Sequence, residues 1–427
     1  MKNKSLPQFY KNINRLLLIS VLVMIACFFT WSENVAITRA IKVVGRMGML
    51  YASYSIYKKI IEAGAVDNLR YHNQFSLVFY LLYLLLGLAS FMWSTNVGFS
   101  ALQWFMTSQT LLFCYFFIKS LYLLDFYFPD HPIRLTNLLG TSSFLLILIF
   151  VVGMWVAPDV FFRMTHGGEE ARLGGYLMNP NELGMLAGVG IAGLMFDLRR
   201  KHAMGWTIFK LLILFYGLMA TGSRSSLIGV LLIIVFHVLQ SKQKKIAVSV
   251  MILLALVAPY AIFEVVLKGG DPERMEEVLS MTGRLPFWSA LIQEGLPREP
   301  LFGFGFMRID YNEFFQGRHT YPGKMTHNTF MQVLMNLGFV GFTLVVFQII
   351  FTVKAIMSES KEKMLMLLCI CIPIVINSFT EFGIFGESNY GILFYQLIIL
   401  YVSFKPNKFL SKREKNFIRR KRSAFIQ

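Results

Sequence analysis

The chain is dominated by apolar runs too long and too numerous for the core of a water-soluble protein. Stretches such as Phe144 to Val152 and Ile246 to Val257 carry no charge. Of its 427 residues, 56% are hydrophobic and only 15% charged, so there is too little polar surface to cover a core of that size. A helix needs about 20 mostly apolar residues to cross the hydrocarbon core of a bilayer. By that measure the sequence predicts an all-α polytopic membrane protein with about twelve spans. They run near 15–32, 37–57, 74–93, 99–124, 135–157, 181–198, 204–220, 225–240, 246–267, 328–353, 364–380 and 388–404. The first begins near Arg15 without a small-residue cleavage signal and reads as a retained helix. The second is the most polar, because Arg39, Lys42 and Arg46 fall within it at spacings that put them on one helical face. Ionisable groups in a span face the bundle interior or an aqueous cavity.

The net charge of +17 would suit a nucleic-acid partner, but its distribution points elsewhere. Nine Lys and Arg lie between Lys405 and Arg422, beside the last apolar run. That is the composition of a flank touching anionic lipid. Counting alternate connections, 27 of the 41 Lys and Arg fall on one side, the side of both termini, and ten on the other. Seven of those ten sit in one long loop, which weighs little in orientation. The positive-inside rule then places both termini of this multi-pass protein in the cytoplasm. A single membrane domain is expected, with outer loops at 157–180 and 268–326 and a basic tail at 405–427. The longer loop holds Trp288, Phe302, Phe304, Phe306 and Tyr311, which suits short helices lying on the bundle. The four cysteines all lie in apolar runs and read as small core residues.

Three polar clusters interrupt the spans, all on the side opposite the termini. The first is Glu170-Ala171-Arg172 with Asn179-Pro180-Asn181. Asn and Pro suit a helix start, and that alone accounts for Asn179 and Asn181. Arg172 is harder to explain, because a helix N-terminus carries partial positive charge and repels a cation unless an anion joins them. The second is Gly222-Ser223-Arg224-Ser225-Ser226, where Ser223 caps a helix and Arg224 either meets an anion or snorkels to lipid headgroups. The third is His327-Asn328, followed after nine residues by Gly338-Phe339-Val340-Gly341. The two glycines predict a flat helix surface for close packing. His327 is either structural or part of a site. Three helix N-termini, each with Arg or His, would form an anion pocket if they converge. Arg284, Arg308, Arg318 and His319 either extend that pocket or are solvated. Glu381 and Glu387 either orient His327, bind a sugar hydroxyl, or are plain outer-face charges. The sequence has no Asp-x-Asp, Walker, Gly-x-Ser-x-Gly or His-Glu-x-x-His motif, so neither a metal nor another cofactor is expected.

At these residues the chain resembles the O-antigen ligase and polymerase family of bacterial envelope glycan assembly. His327-Asn328, nine residues and Gly338-x-x-Gly341 fit one signature of that family. Arg172-Leu173-Gly174-Gly175 with Asn179-Pro180-Asn181, and Gly222-Ser223-Arg224-Ser225, resemble two others. The resemblance covers roughly residues 172–387. It implies a metal-independent, glycosyltransferase-C-like enzyme of the outer leaflet. Its donor would be a glycan on undecaprenyl pyrophosphate, and its acceptor a glycan or lipid-linked hydroxyl. By motif, Arg172 and Arg224 would bind pyrophosphate and His327 would act as general base. Arg284, Asn179, Asn181, Ser223, Asn328 and Glu381 would line the substrate site. A polymerase is favoured over a ligase, since nothing marks a dock for lipid A, protein or a wall polymer. Two other classes stand beside this reading. A polyprenyl-linked saccharide flippase would place its cations near mid-membrane. A structural envelope protein would leave the arginines unexplained.

Overall fold

A computed structural model describes residues 8–129, 133–165, 170–198, 204–240, 284–307, 326–381 and 383–406, with isolated positions at 248, 249, 263, 411, 412 and 416. Its long elements are helices: α1 (Gln8–Ala26), α2 (Val35–Glu62), α3 (Phe75–Ala89), α4 (Val97–Tyr127), α5 (Leu135–Val156), α7 (Pro180–Leu198), α8 (Met204–Thr221) and α9 (Arg224–Leu239). The C-terminal part adds α11 (Thr329–Met357), α12 (Lys361–Thr380) and α13 (Tyr390–Ser403). Two short helices, α6 (Pro158–Phe161) and α10 (Arg284–Ala290), lie in the connections. Among the described residues, eight helices are long and apolar enough to cross a membrane. Helix α2 is more polar, and α9 and α13 are shorter. The expected span at 246–267 lies almost wholly outside the described residues, as do Arg308, Arg318, His319 and most of the 268–326 loop.

The helices that begin at the same end as α7 share a chemical signature. Asn34, Asn96, Ser223, Asn328 and Asn389 each accept backbone N–H bonds of the first turn, opening α2, α4, α9, α11 and α13. Asn179 accepts from the Asn181 N–H, and Pro180 opens α7. These side chains satisfy donors that a helix start leaves without partners. Helix α13 is buried along its entire length, and α7 along most of its length. Glycines let α7 approach its neighbours closely. A Cβ at Gly184 would stand 2.8 Å from the Cβ of Ser223, the cap of α9, and one at Gly190 would stand 2.7 Å from Ser143 Cβ of α5. Packing on small residues is how helices associate in lipid, where apolar burial supplies no drive.

The chain departs from the all-α expectation in two places. Strands β1 (Leu69–Tyr71) and β4 (Phe404–Pro406) pair antiparallel at the end opposite the α7 start. Strands β2 (Phe162–Thr165) and β3 (Glu170–Leu173) pair antiparallel in the loop before α7, with Arg163 opposite Arg172.

Gly338 does not offer the flat packing surface that the Gly-x-x-Gly spacing predicts. It interrupts α11 with φ 61° and ψ −163°. The 299–305 segment inserts its main chain at the break. Phe339 and Val340 donate to Pro300 and Leu301 carbonyls at 2.8 and 3.1 Å, and Gly305 donates to Asn336 at 2.9 Å. A Cβ at Gly338 would collide with Leu301, and the left-handed φ also excludes ordinary side chains.

Candidate active site

The first two polar clusters meet through Asn181. Arg172, on β3, donates from Nη2 to Asn181 Oδ1 at 2.7 Å, and Asn181 Nδ2 donates to Glu381 Oε1 at 2.9 Å. The amide is therefore oriented with its oxygen toward the guanidinium and its nitrogen toward the carboxylate. Arg172 Nε donates to the carbonyl of Thr221, the last residue of α8, at 2.8 Å. The C-terminal end of a helix has free carbonyls and partial negative charge, so it stabilises a cation that the α7 N-terminus alone would repel. Gly222 makes room for this contact, since a Cβ there would stand 3.2 Å from Arg172 Nε. Among the described residues, three of the five guanidinium N–H donors of Arg172 remain for another acceptor.

The third cluster joins at Glu381, which ends α12 and is 3% exposed. His327 Nδ1 lies 2.6 Å from Glu381 Oε2. Arg284, at the start of α10, donates to Glu381 Oε1 at 3.0 Å and to the Thr380 carbonyl at 2.5 Å. Burial pushes the Glu381 carboxyl up, but His327, Arg284 and Asn181 together outweigh it and hold it below the usual carboxylate range. An ionised carboxylate can only accept, so His327 donates from Nδ1 and turns Nε2 away from Glu381. His327 adopts φ 49°, an uncommon conformation for a residue with a side chain. Both neighbours fix it. Thr326 Oγ1 donates to the Asn328 carbonyl at 2.8 Å, and Asn328 Oδ1 caps α11 by accepting from Phe330 and Met331.

Asn179, Ser223 and Asn328 thus use their side chains on helix starts, which aims Asn181, Arg224 and His327. Arg224 is half-buried and has no hydrogen bond or ion pair among the described residues. Ser226 ties the second helix start to the first by donating to the Asn181 carbonyl at 3.3 Å. Burial lowers the affinity of Arg172 for its proton. Attraction by Glu170 and Glu381 opposes this, and repulsion from Arg224 and Arg163 adds to it. Arg163 did not stand out in the sequence; only its register opposite Arg172 reveals it. Like charges directly opposite in a strand pair are destabilising. Four arginines, Arg163, Arg172, Arg224 and Arg284, outnumber the carboxylates Glu170 and Glu381 among them and leave a positive surplus. Among the described residues, no group of His, Cys, Asp or Glu is placed to hold a metal ion.

Fold and site together define a helical membrane protein in which a histidine–carboxylate pair adjoins an arginine cluster at one end of the bundle. Residues 209–346 match the family model described as O-Antigen ligase, and the match supports placing the chain in an O-antigen ligase/polymerase family. That family and the apolar helices indicate a bacterial membrane protein. The matched stretch holds Ser223, Arg224, Arg284, His327 and Asn328. Arg172, Asn179, Asn181 and Glu381 lie outside it and are joined to it by the hydrogen bonds above. No curated protein matches the chain.

Proposed function

We propose that the chain is an inverting glycosyltransferase that takes a glycan from undecaprenyl pyrophosphate at the outer face of the inner membrane. The acceptor is a hydroxyl of another lipid-linked repeat, so that surface polysaccharide grows by repeat units. The observation that carries this reading is the 2.6 Å contact between His327 and a buried, ionised Glu381 within a network that also holds Arg172. His327 Nε2 takes the acceptor proton as its oxygen attacks the anomeric carbon. Glu381 holds the ring in the required tautomer and stabilises the imidazolium that forms. Undecaprenyl pyrophosphate leaves from the opposite face, and Arg172 and Arg224 stabilise charge growing on the leaving oxygen. Asn181 and Arg284 position this machinery through Glu381. The β2–β3 pair supports the reading, since it holds Arg163 and Arg172 side by side where an anion would offset their repulsion.

The test is envelope glycan length in a deletion strain complemented with wild type, His327→Ala or Arg224→Ala. A single-repeat band, restored to a ladder only by wild type, is expected. Full-length chains stranded on undecaprenyl pyrophosphate would instead make the protein a ligase for a lipid or protein acceptor. Normal ladders throughout would reject the site.

A further inference from the structure

A second polar cavity opens between α2, α4 and the 381–389 connection, with a volume of about 270 Å³. Arg39, Lys42 and Arg46 line one side of it, and Gln103, Glu387 and Ser388 line the other. The cations form a gradient: Arg39 is exposed, Lys42 half-buried, and Arg46 is 1% exposed. Arg46 donates from Nη1 to Ser388 Oγ at 2.7 Å, and its guanidinium lies 3.9 Å over the Phe28 ring. Its Nε is buried without a hydrogen-bond partner. Among the described residues, no carboxylate lies within ion-pair distance of any of the three cations. A buried guanidinium touching a hydroxyl and a ring, with Glu387 attracting it only from beyond ion-pair distance, gains from an anion that joins it.

The opposite wall has different chemistry. Gln103 donates to Glu387 Oε1 at 3.3 Å and accepts from the Ser388 N–H at 3.1 Å. Glu33 stands in the wall beside Arg39. A bare phosphate or pyrophosphate would gain from the cations and lose against Glu387 and Glu33. A ring that carries one oxyanion and several hydroxyls satisfies both walls: its anion meets Lys42 and Arg46, and its hydroxyls donate to Glu387. The cavity is large enough to admit a sugar ring. The cavity is also separate from the arginine cluster yet electrostatically in touch with it. Glu182, in the first turn of α7, lies within range of Glu381 on one side and of Lys42 and Glu387 on the other.

We infer that this cavity is a subsite for an acidic sugar residue, a ring bearing a carboxylate or phosphate, on the acceptor glycan. The assignment to the acceptor rests on the donor site proposed above at Arg172 and Arg224. Its test uses the full chain in phosphatidylcholine nanodiscs, with glucuronate, glucose 6-phosphate and glucose as probes in saturation-transfer NMR and calorimetry. Glucuronate, glucose 6-phosphate or both are expected to bind about tenfold or more tightly than glucose, the scale of charge-assisted contacts. Which of them binds identifies the anion. The double variant Arg39→Gln, Lys42→Gln is expected to weaken that preference several-fold, leaving the part due to Arg46, while retaining the melting temperature of wild type, because Arg46 and its packing are untouched. Equal binding of acidic and neutral sugars by wild type overturns the proposal, as does a preference undiminished in the double variant. Displacement of the acidic sugars by phosphatidylglycerol in the nanodisc overturns it as well, in favour of a lipid headgroup. Pyrophosphate binding in Arg224→Ala is read separately. Its persistence there would sink the donor site without touching the sugar preference.

Discussion

The two ends of the bundle treat their cations differently. At the end opposite the α7 start, basic side chains meet carboxylates. Lys119 pairs with Asp67, Arg134 lies 3.8 Å from Asp197, and Lys405 lies 3.2 Å from Glu359. At the α7-start end, Arg172 is held by an amide oxygen and a carbonyl, Arg46 by a hydroxyl, and Arg224 by neither a hydrogen bond nor an ion pair among the described residues. A cation anchored by a carboxylate has its charge cancelled locally. A cation anchored by neutral oxygens is fixed in place and keeps its charge for a ligand. Among the described residues, Arg284 departs from this contrast, since its carboxylate is the same Glu381 that faces His327, and so does Lys210, held by the Thr141 hydroxyl.

The comparison breaks most visibly at His327. In the reading proposed here, His327→Ala removes the base and lowers transfer by about 10²–10⁴-fold in a reconstituted assay with lipid-linked substrate, at equal amounts of folded protein. Full activity would reduce the histidine to a structural part. Next is Glu381. Replacing it with Ala leaves Arg284 facing a void, and breaking a buried pair in that way costs about 3–5 kcal/mol, read from denaturation of the purified protein. The pH dependence has a definite sign. The Glu381 carboxyl is held below its ordinary value, so its stabilisation is complete above about pH 4.3, the ordinary glutamate value. It is lost as the pH falls through the lower folded value. Glu381→Gln should flatten that part of the stability profile, and an unaltered profile would show that the carboxylate is not ionised.

Arg224→Lys and Arg172→Lys keep the charge and lose the planar fork. Each should reduce transfer by about 10²–10³-fold, close to the alanine variants. Near-wild-type rates in both would mean that a point charge suffices. The smallest effect belongs to the opposite end. A double-mutant cycle on Asp67→Asn and Lys119→Met should give a coupling of about 1 kcal/mol or less with no change in transfer. A large loss of activity there would erase the contrast between the two ends.

What was legible in the sequence was what depends on local spacing. Among the described residues the apolar runs became helices, and Ser223-Arg224 and His327-Asn328 became capped helix starts. The partners across the bundle were not legible. Glu381 sits 54 positions from His327, and nothing in its neighbours distinguishes it from Glu387. Glu381 ends a helix facing the site and Glu387 faces the second cavity; only packing separates them. The β2–β3 pair escaped notice because Phe162-Arg-Met-Thr and Glu170-Ala-Arg-Leu are short and poor in β-branched residues, although Gly167-Gly168 between them is a turn signal. Gly338 was visible as a glycine, but its partner is loop main chain, which side-chain spacing does not encode.

The break at Gly338 also sets a ruler. A 29-residue helix would be about 43 Å long at 1.5 Å per residue, well beyond the roughly 30 Å of hydrocarbon. Residues 339–357 alone span about 28 Å, a match to the bilayer. The turns from Thr329 to Leu337 exceed that match and are strapped to the 299–305 segment by main-chain hydrogen bonds. His327, just before them, is therefore set by loop main chain packed on the head of the helix, apart from the stretch whose length matches the lipid.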